Sequence, residues 1–288
     1  MNGLHQLFFR RKQPAALGLA LGGGFARAMA HIGVLQVLEE EKIPIQYIAG
    51  VSAGALVAAA FASGTTPEEI ARVGTALRFG DVARWTFSKL GFCCTDGMAK
   101  LLARLLKKDK FEDMRIPLAV GATDLQTGNA VLFSGSGDVR LPLRASCAFP
   151  GIYQPVRWNR QILTDGAISM EVPASVVRGM GAARVISVCI PHDSGTAEPS
   201  NMVEVMSRSM QILQMRTEDS WRKSSDLVIV PDVSAWHWHD FKSSSALIAA
   251  GSDAARKAIP SIRGVDGGRR GLEIAVTPTV ARIPGSVA

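Results

Sequence analysis

The sequence predicts an α/β protein with a parallel sheet covered by helices, and two successive strand–glycine turn–helix units carry that prediction. In the first, the apolar run Leu17–Leu21 ends in Gly22-Gly23-Gly24. Ala28, His31, Ile32, Leu35 and Leu38 then recur at helical spacing as far as Glu41. In the second, the apolar, β-branched run 43–48 leads into Gly50-Val51-Ser52-Ala53-Gly54 and an alanine-rich helix over 55–62. Consecutive β–α units joined this way pair their strands in parallel and place the helices on the sheet faces.

The remaining elements follow in order. Thr65-Thr66-Pro67-Glu68-Glu69 supplies an N-cap, a first-turn proline and first-turn acids, so a helix is expected to about Leu77. Residues 79–96 hold Trp85, Phe87, Phe92 and two cysteines without a clean period, and read as a flap over the serine. Helical spacing resumes over 97–107. Residues 118–123 and 130–133 pair as strands through Gln126-Thr127-Gly128-Asn129. A short helix at 141–148 ends at Pro150-Gly151, and a strand at 161–164 delivers Asp165-Gly166. A helix at 172–180, a buried strand at 184–190, a methionine-rich packing helix at 202–217, a strand at 226–230 and a helix at 243–259 complete the fold. Residues 1–15 read as a loose basic arm and 263–288 as a disordered tail, leaving one domain over 16–262.

Composition narrows the function classes. The chain is 47% hydrophobic and 20% charged, ordinary values for a protein with a sizeable core. Its net charge of +7 is weighted toward the ends, in Arg10-Arg11-Lys12 and in Arg263, Arg269, Arg270 and Arg282. That excess suits solvated termini, or peripheral contact with an anionic phospholipid surface rather than with nucleic acid. Cys93, Cys94, Cys147 and Cys189 form no metal-ligand spacing and read as reduced thiols of a cytoplasmic protein. The apolar run at 53–62 is about half the length needed to span a bilayer.

The chemistry centres on Ser52. In a G-x-S-x-G turn the serine stands on a strained corner with its hydroxyl exposed, and the flanking glycines remove Cβ clashes. A nucleophile there needs an oxyanion site and a base. Backbone N–H groups of Gly22, Gly23 and Gly24, at a helix N-terminus, can supply the first. A dinucleotide loop would instead need an acid at the end of the second strand, where this chain has Gly50-Val51-Ser52. Two bases compete. A triad would draw a late histidine, His237 or His239, from Ala235-Trp236-His237-Trp238-His239-Asp240. A dyad would use Asp165, whose ordinary pKa of about 3.9 makes it a weak base unless burial raises it.

Four blocks together resemble the patatin-like phospholipases: Gly22-Gly23-Gly24-Phe25-Ala26-Arg27, Gly50-Val51-Ser52-Ala53-Gly54, Arg144-Ala145-Ser146-Cys147-Ala148-Phe149-Pro150-Gly151, and Asp165-Gly166-Ala167. Their order and spacing match the family over residues 17–190. The resemblance implies a three-layer α/β/α fold with a mostly parallel central sheet, and hydrolysis of lipid acyl esters without metal or organic cofactor. It implies Ser52 as nucleophile, Asp165 as base and the Gly22–Gly24 amides as oxyanion hole. Arg27, Gly50, Gly54 and Gly166 are supporting motif positions, and the Arg144 block is expected to pack beside the site. Where the family usually has glycine after the basic residue of the loop, this chain has Ala28. A catalytically weak regulatory or adaptor protein on the same fold is the alternative that this departure raises.

Overall fold

The computed structural model describes residues 16–86, 88–191, 198–264 and the strand at 273–275. The first half of the chain runs β1 (Leu17–Leu21), α1 (Ala30–Glu40), β2 (Tyr47–Val51), α2 (Ala53–Ala62), α3 (Pro67–Thr75), α4 (Phe79–Val82), β3 (Arg84–Trp85), β4 (Cys93–Cys94), α5 (Met98–Leu105) and β5 (Leu118–Asp124). The second half adds β6 (Ala130–Ser134), α6 (Arg140–Ser146), β7 (Val156–Trp158), β8 (Gln161–Asp165), α7 (Ala174–Gly179), β9 (Arg184–Val188), α8 (Met202–Arg222), β10 (Leu227–Ile229), α9 (Ser244–Gly264) and β11 (Glu273–Ala275).

The main sheet has the order β11-β10-β9-β1-β2-β5-β8-β7, with β6 also paired to β5. Strands β11 to β5 in that order run parallel, and β6, β7 and β8 enter antiparallel. Successive side chains of a strand point to opposite faces, and the two faces differ in size. Leu19 and Leu21 of β1, Ile48 of β2, Ile186 and Val188 of β9, and Leu227 and Ile229 of β10 pack into one core. Their alternates Ala20, Ala49, Val185 and Val228 pack into another with Val177 of α7. The large-residue face carries α1, α2, α6 and α9; the small-residue face lets α7 sit close. A Cβ on Gly18 would lie 2.1 Å from a Val177 methyl. This is the expected three-layer α/β/α fold.

Helices α1 and α9 meet backbone to backbone. A Cβ on Gly33 would stand 1.9 Å from the Ile248 carbonyl oxygen, and one on Gly251 would stand 1.9 Å from that of Ala30. The crossing is therefore set by two missing side chains, and it holds α1 firmly behind the glycine loop.

Several elements depart from the sequence expectation. Strand β2 starts at Tyr47 rather than residue 43, because Pro44 has no N–H for the ladder while Ile43 and Ile45 pack on the core. Helix α1 is preceded by a 3-10 turn over Phe25–Met29. Strand β7, three residues long after Pro155, has no sequence signal of its own and forms only by pairing with β8. Among the described residues of 79–96 the chain forms α4 and a hairpin of two-residue strands, and only Val82 of them walls a cavity beside Ser52. Three residues of the expected disordered tail, Glu273–Ala275, instead add β11 to the sheet edge. Arg263 and Gly264, also placed in that tail, are instead the last residues of α9. The arm at 1–15 and residues 265–272 and 276–288 lie outside the described residues.

Gly33→Ala and Gly251→Ala should each lower the unfolding free energy by roughly 1–3 kcal/mol through overpacking. Gly80→Ala, where a Cβ would meet nothing within 4 Å, should not lower it. Urea denaturation of the three variants measures this directly.

Candidate active site

The site is built on one edge of β5. Strand β6 pairs with β5 over Ala119–Thr123, so β2 and β8 both lie on the opposite edge. There β2 runs parallel to β5 and ends with Val51 opposite Gly121, while β8 runs antiparallel and ends with Asp165 opposite Ala122. The two strands arrive end to end. The next residue after β2 is Ser52, and its Oγ donates a 2.7 Å hydrogen bond to Asp165 Oδ2.

Ser52 takes φ 52° and ψ −134°, a left-handed corner that is strained for a residue with a Cβ. Close approach on both sides holds it there. A Cβ on Gly54 would lie 2.3 Å from the Gly22 carbonyl oxygen, and one on Gly50 would lie 2.6 Å from Ala55 Cα. The Ser52 N–H donates to Ser146 Oγ at 2.8 Å. Asp165 is fixed as tightly. Its N–H donates to the Ala148 carbonyl, and its own carbonyl accepts from Thr123 Oγ1 at 2.8 Å. Oδ1 accepts the Ala167 N–H at 2.9 Å, which leaves Oδ2 aimed at the serine. Gly166 is needed because a Cβ would fall 2.1 Å from the Gly121 carbonyl oxygen.

Asp165 is buried, and burial is the main cause that raises its pKa from 3.8 to about 7. The bonds from Ser52 and Ala167 oppose the rise but do not cancel it. A carboxylate in this position is a far better proton acceptor than an exposed one, and it is ionised from neutral pH upward.

The glycine loop faces the serine: a Cβ on Gly23 would sit 3.4 Å from Ser52 Cβ. One part of the expected oxyanion set is corrected. The Gly22 N–H donates to the Val188 carbonyl at 3.1 Å, continuing the β1–β9 ladder, so it has no proton left for an oxyanion. The Gly23 and Gly24 N–H groups donate to no described residue. The Gly22 carbonyl is held from the other side by His31, whose Nε2 lies 2.9 Å away. His31 is fully buried, and burial lowers its pKa to about 4, so at neutral pH the ring is uncharged and acts as the donor. Phe25 packs edge-to-face on Phe149 and Trp238, and the Ala26 N–H donates to the Trp238 carbonyl.

That last contact accounts for the aromatic segment at 235–240, which braces the glycine loop. His237 and His239 stack on each other and line neither cavity that Ser52 opens into. Arg27 is buried in the 3-10 turn and lines one of those cavities with Asp165. Arg144 pairs with Asp96 and bonds Thr95, tying α6 to the α5 entry, away from the reacting atoms. Ala28 falls inside the 3-10 turn without a positive φ, so its methyl introduces no backbone strain. Ser146 and His31 are the positioning residues that sequence reading missed. A serine inside the Arg144 block, and a histidine on the apolar face of the first helix, were the available signals.

Two cavities meet at Ser52. One, with about 720 Å³ of empty space, is walled by Leu56, Val57, Ile70, Val73, Leu77 and Leu101 among other apolar residues. The other, with about 750 Å³ of empty space that runs into open solvent, is the more polar of the two: Asp165, Arg27, Glu171 and the α8 residues Gln211 and Gln214 line it beside the glycine loop and apolar residues such as Phe149, Val172 and Trp238. Among the described residues no cluster of His, Cys, Asp or Glu could hold a metal ion. No described helix is long and apolar enough to cross a membrane.

The family description Patatin-like phospholipase matches residues 19–178, more than half of the chain and all four motif blocks. The chain belongs to the patatin-like phospholipase family. An uncharacterized NTE family protein of Mycobacterium tuberculosis (strain ATCC 25618 / H37Rv) is 31% identical over 68% of this chain. The lysophospholipase NTE1 of Mycosarcoma maydis is 28% identical over 78% of it. This patatin-like chain spans 56% of the mycobacterial relative and 12% of the fungal one. The crystal structure of VipD from Legionella pneumophila shares the fold at a TM-score of 0.51, with 13% identity, covering 86% of this chain and 67% of that one.

The raised pKa of Asp165 has a sign for stability. Folding favours its protonated form, so its contribution is whole below about pH 4 and is lost as pH rises through about 7. Asp165→Asn removes that ionisation. The variant should gain stability over the parent by on the order of 1–4 kcal/mol at pH 8, with the gap closing toward pH 4. Denaturant titrations at both pH values measure it.

Proposed function

We propose that this chain is a serine acyl hydrolase that cleaves fatty-acyl esters of lipids through a Ser52–Asp165 dyad. The observation that carries the reading is the 2.7 Å bond from Ser52 Oγ to a buried carboxylate, at the junction of an apolar cavity and a more polar one. The apolar cavity suits the acyl chain, since burying methylenes is favourable by about 0.8 kcal/mol each. The polar one suits the alcohol side of the ester.

In this mechanism Ser52 Oγ attacks the ester carbonyl carbon as its proton passes to Asp165 Oδ2. The negative charge that develops on the carbonyl oxygen is held by the N–H groups of Gly23 and Gly24. Collapse of the tetrahedral intermediate breaks the C–O bond, and Asp165 gives its proton to the departing alcohol. Water then attacks the acyl-serine, losing a proton to Asp165. The second collapse releases the fatty acid and returns the proton to Ser52. His31 and Ser146 serve by holding the loop and the elbow in place, which keeps the donors aimed before the charge appears.

Ser52→Ala and Asp165→Asn should each cut kcat/KM for a chromogenic acyl ester by roughly 10³-fold or more in folded protein. His237→Ala and His239→Ala should leave it unchanged. For the parent chain, kcat/KM should rise with pH and level off above about 7, because only ionised Asp165 accepts the proton. Retained activity in either dyad variant, or its loss in a histidine variant, would overturn the assignment.

A further inference from the structure

Helix α8 has two working faces. Val203, Ser207, Met210, Gln211 and Gln214, spaced along one side, line the polar cavity with Ser52. Little else fastens the helix. Trp221 is its only buried residue, donating from Nε1 to Glu171 Oε2 at 2.8 Å, and Gln214 Nε2 donates to the Ala167 carbonyl at 2.8 Å. The opposite side is exposed and apolar: Met202, Val205, Ile212, Leu213 and Met215 are each between 50% and 68% accessible. A single exposed apolar residue is ordinary, but a row of them along one helix marks a contact surface.

A second exposed apolar group stands nearby, on the β3–β4 hairpin, where Trp85 is 74%, Leu90 59% and Phe92 47% accessible. The segment 151–154 joins the two. Gly151 packs against Met206 of α8, and on its other side Cys93 of β4 exchanges backbone hydrogen bonds with Ile152 and Gln154. Phe149 and Tyr153, at either end of this stretch, line the polar and the apolar cavity respectively. The exposed apolar side chains thus flank a stretch of chain, 149–154, that contributes lining to both cavities.

We propose that the outer face of α8, together with the β3–β4 hairpin, is a docking surface for an anionic phospholipid interface. This deepens the acyl-hydrolase reading and rests on it for the identity of the occupant. Charge supports a lipid surface. Arg208 and Arg216 lie on the same outer side as the apolar residues and neither is within ion-pair distance of a described acid, although the pKa of Glu204, lowered chiefly by the Ser200 N–H that its carboxylate accepts, is lowered further by Arg208. Of the other acids of the helix, Glu218 pairs with Arg222, and Asp219 is exposed one turn beyond Met215. Apolar side chains interspersed with arginines suit a helix lying in the interface plane, with aliphatic groups among the acyl chains and the long arginine side chains reaching up to the phosphates. Position supports it as well. The inner side of the same helix walls the cavity that holds Ser52, so a lipid surface on the outer face lies one helix width, about 10 Å, from that cavity.

The test uses the full chain carrying Ser52→Ala, so that lipid is not consumed, in cosedimentation with phosphatidylcholine vesicles and with vesicles that also contain phosphatidylglycerol. The parent should bind the anionic vesicles more tightly. Ile212→Gln with Leu213→Gln, which keeps helix propensity, should weaken binding to both by about tenfold or more. Arg208→Gln with Arg216→Gln should weaken it on the anionic vesicles alone. With Ser52 restored, the Ile212/Leu213 variant should still hydrolyse a water-soluble short-chain ester at the parental rate. Undiminished vesicle binding by the Ile212/Leu213 variant overturns the proposal. So does a lipid-free dimer that this variant dissociates on size exclusion, which would make the face a contact between copies. Vesicle binding by a parent chain that hydrolyses no ester would uphold the surface and overturn the acyl-hydrolase reading.

Discussion

The edge of β5 that carries both β2 and β8 is the constraint on which the site depends. Two strands can share one edge only end to end, and here the ends are Val51 and Asp165, opposite adjacent residues of β5. The separation of Ser52 and Asp165 is therefore a property of sheet registry, not of loop conformation. A loop-borne base could drift by an ångström; a base at the end of a paired strand cannot without breaking ladder bonds. The small residues around this point follow from the same constraint. Gly166, Gly50 and Gly54 lie where backbones approach too closely for a Cβ, and a Cβ on Gly121 would run into the Met170 and Val51 side chains.

Burial then converts that geometry into reactivity. Desolvation lifts the Asp165 pKa to about 7, with no cation among the causes acting on it. The group is costly to ionise in the folded chain, and under the proposed dyad that cost is what would make it a competent base. The surrounding hydrogen bonds keep the strained state in one arrangement. Ser146 takes the Ser52 N–H, Ala167 occupies Oδ1, and His31 holds the Gly22 carbonyl.

Much of this was legible in the sequence. The glycine loop, the elbow and the Asp165-Gly166 turn each carry a local steric reason that sequence can express, and the strand–turn–helix pattern places them at strand ends. The parallel sheet followed from repeated β–α units. What was not legible depends on registry and on long-range partners. That the Gly22 N–H continues the β1–β9 ladder is decided by Val188, far along the chain. The role of the histidine pair was open because His237 and His239 sit in an aromatic stretch, and only its docking on Phe25 shows that stretch to be a brace. The outer face of α8 was read as packing because methionine and leucine at helical spacing look alike whether they are covered or exposed. Strand β7 could not be seen at all, since three residues form a strand only when β8 is beside them.

Labelling by a fluorophosphonate, read by peptide mass spectrometry, probes the activated serine without depending on the choice of substrate. The Ser52–Asp165 account predicts adduct on Ser52 of the parent chain, labelling that quickens as pH rises through about 7, and loss of that labelling in Asp165→Asn. An unlabelled Ser52, or full labelling in the Asp165→Asn chain, would contradict it.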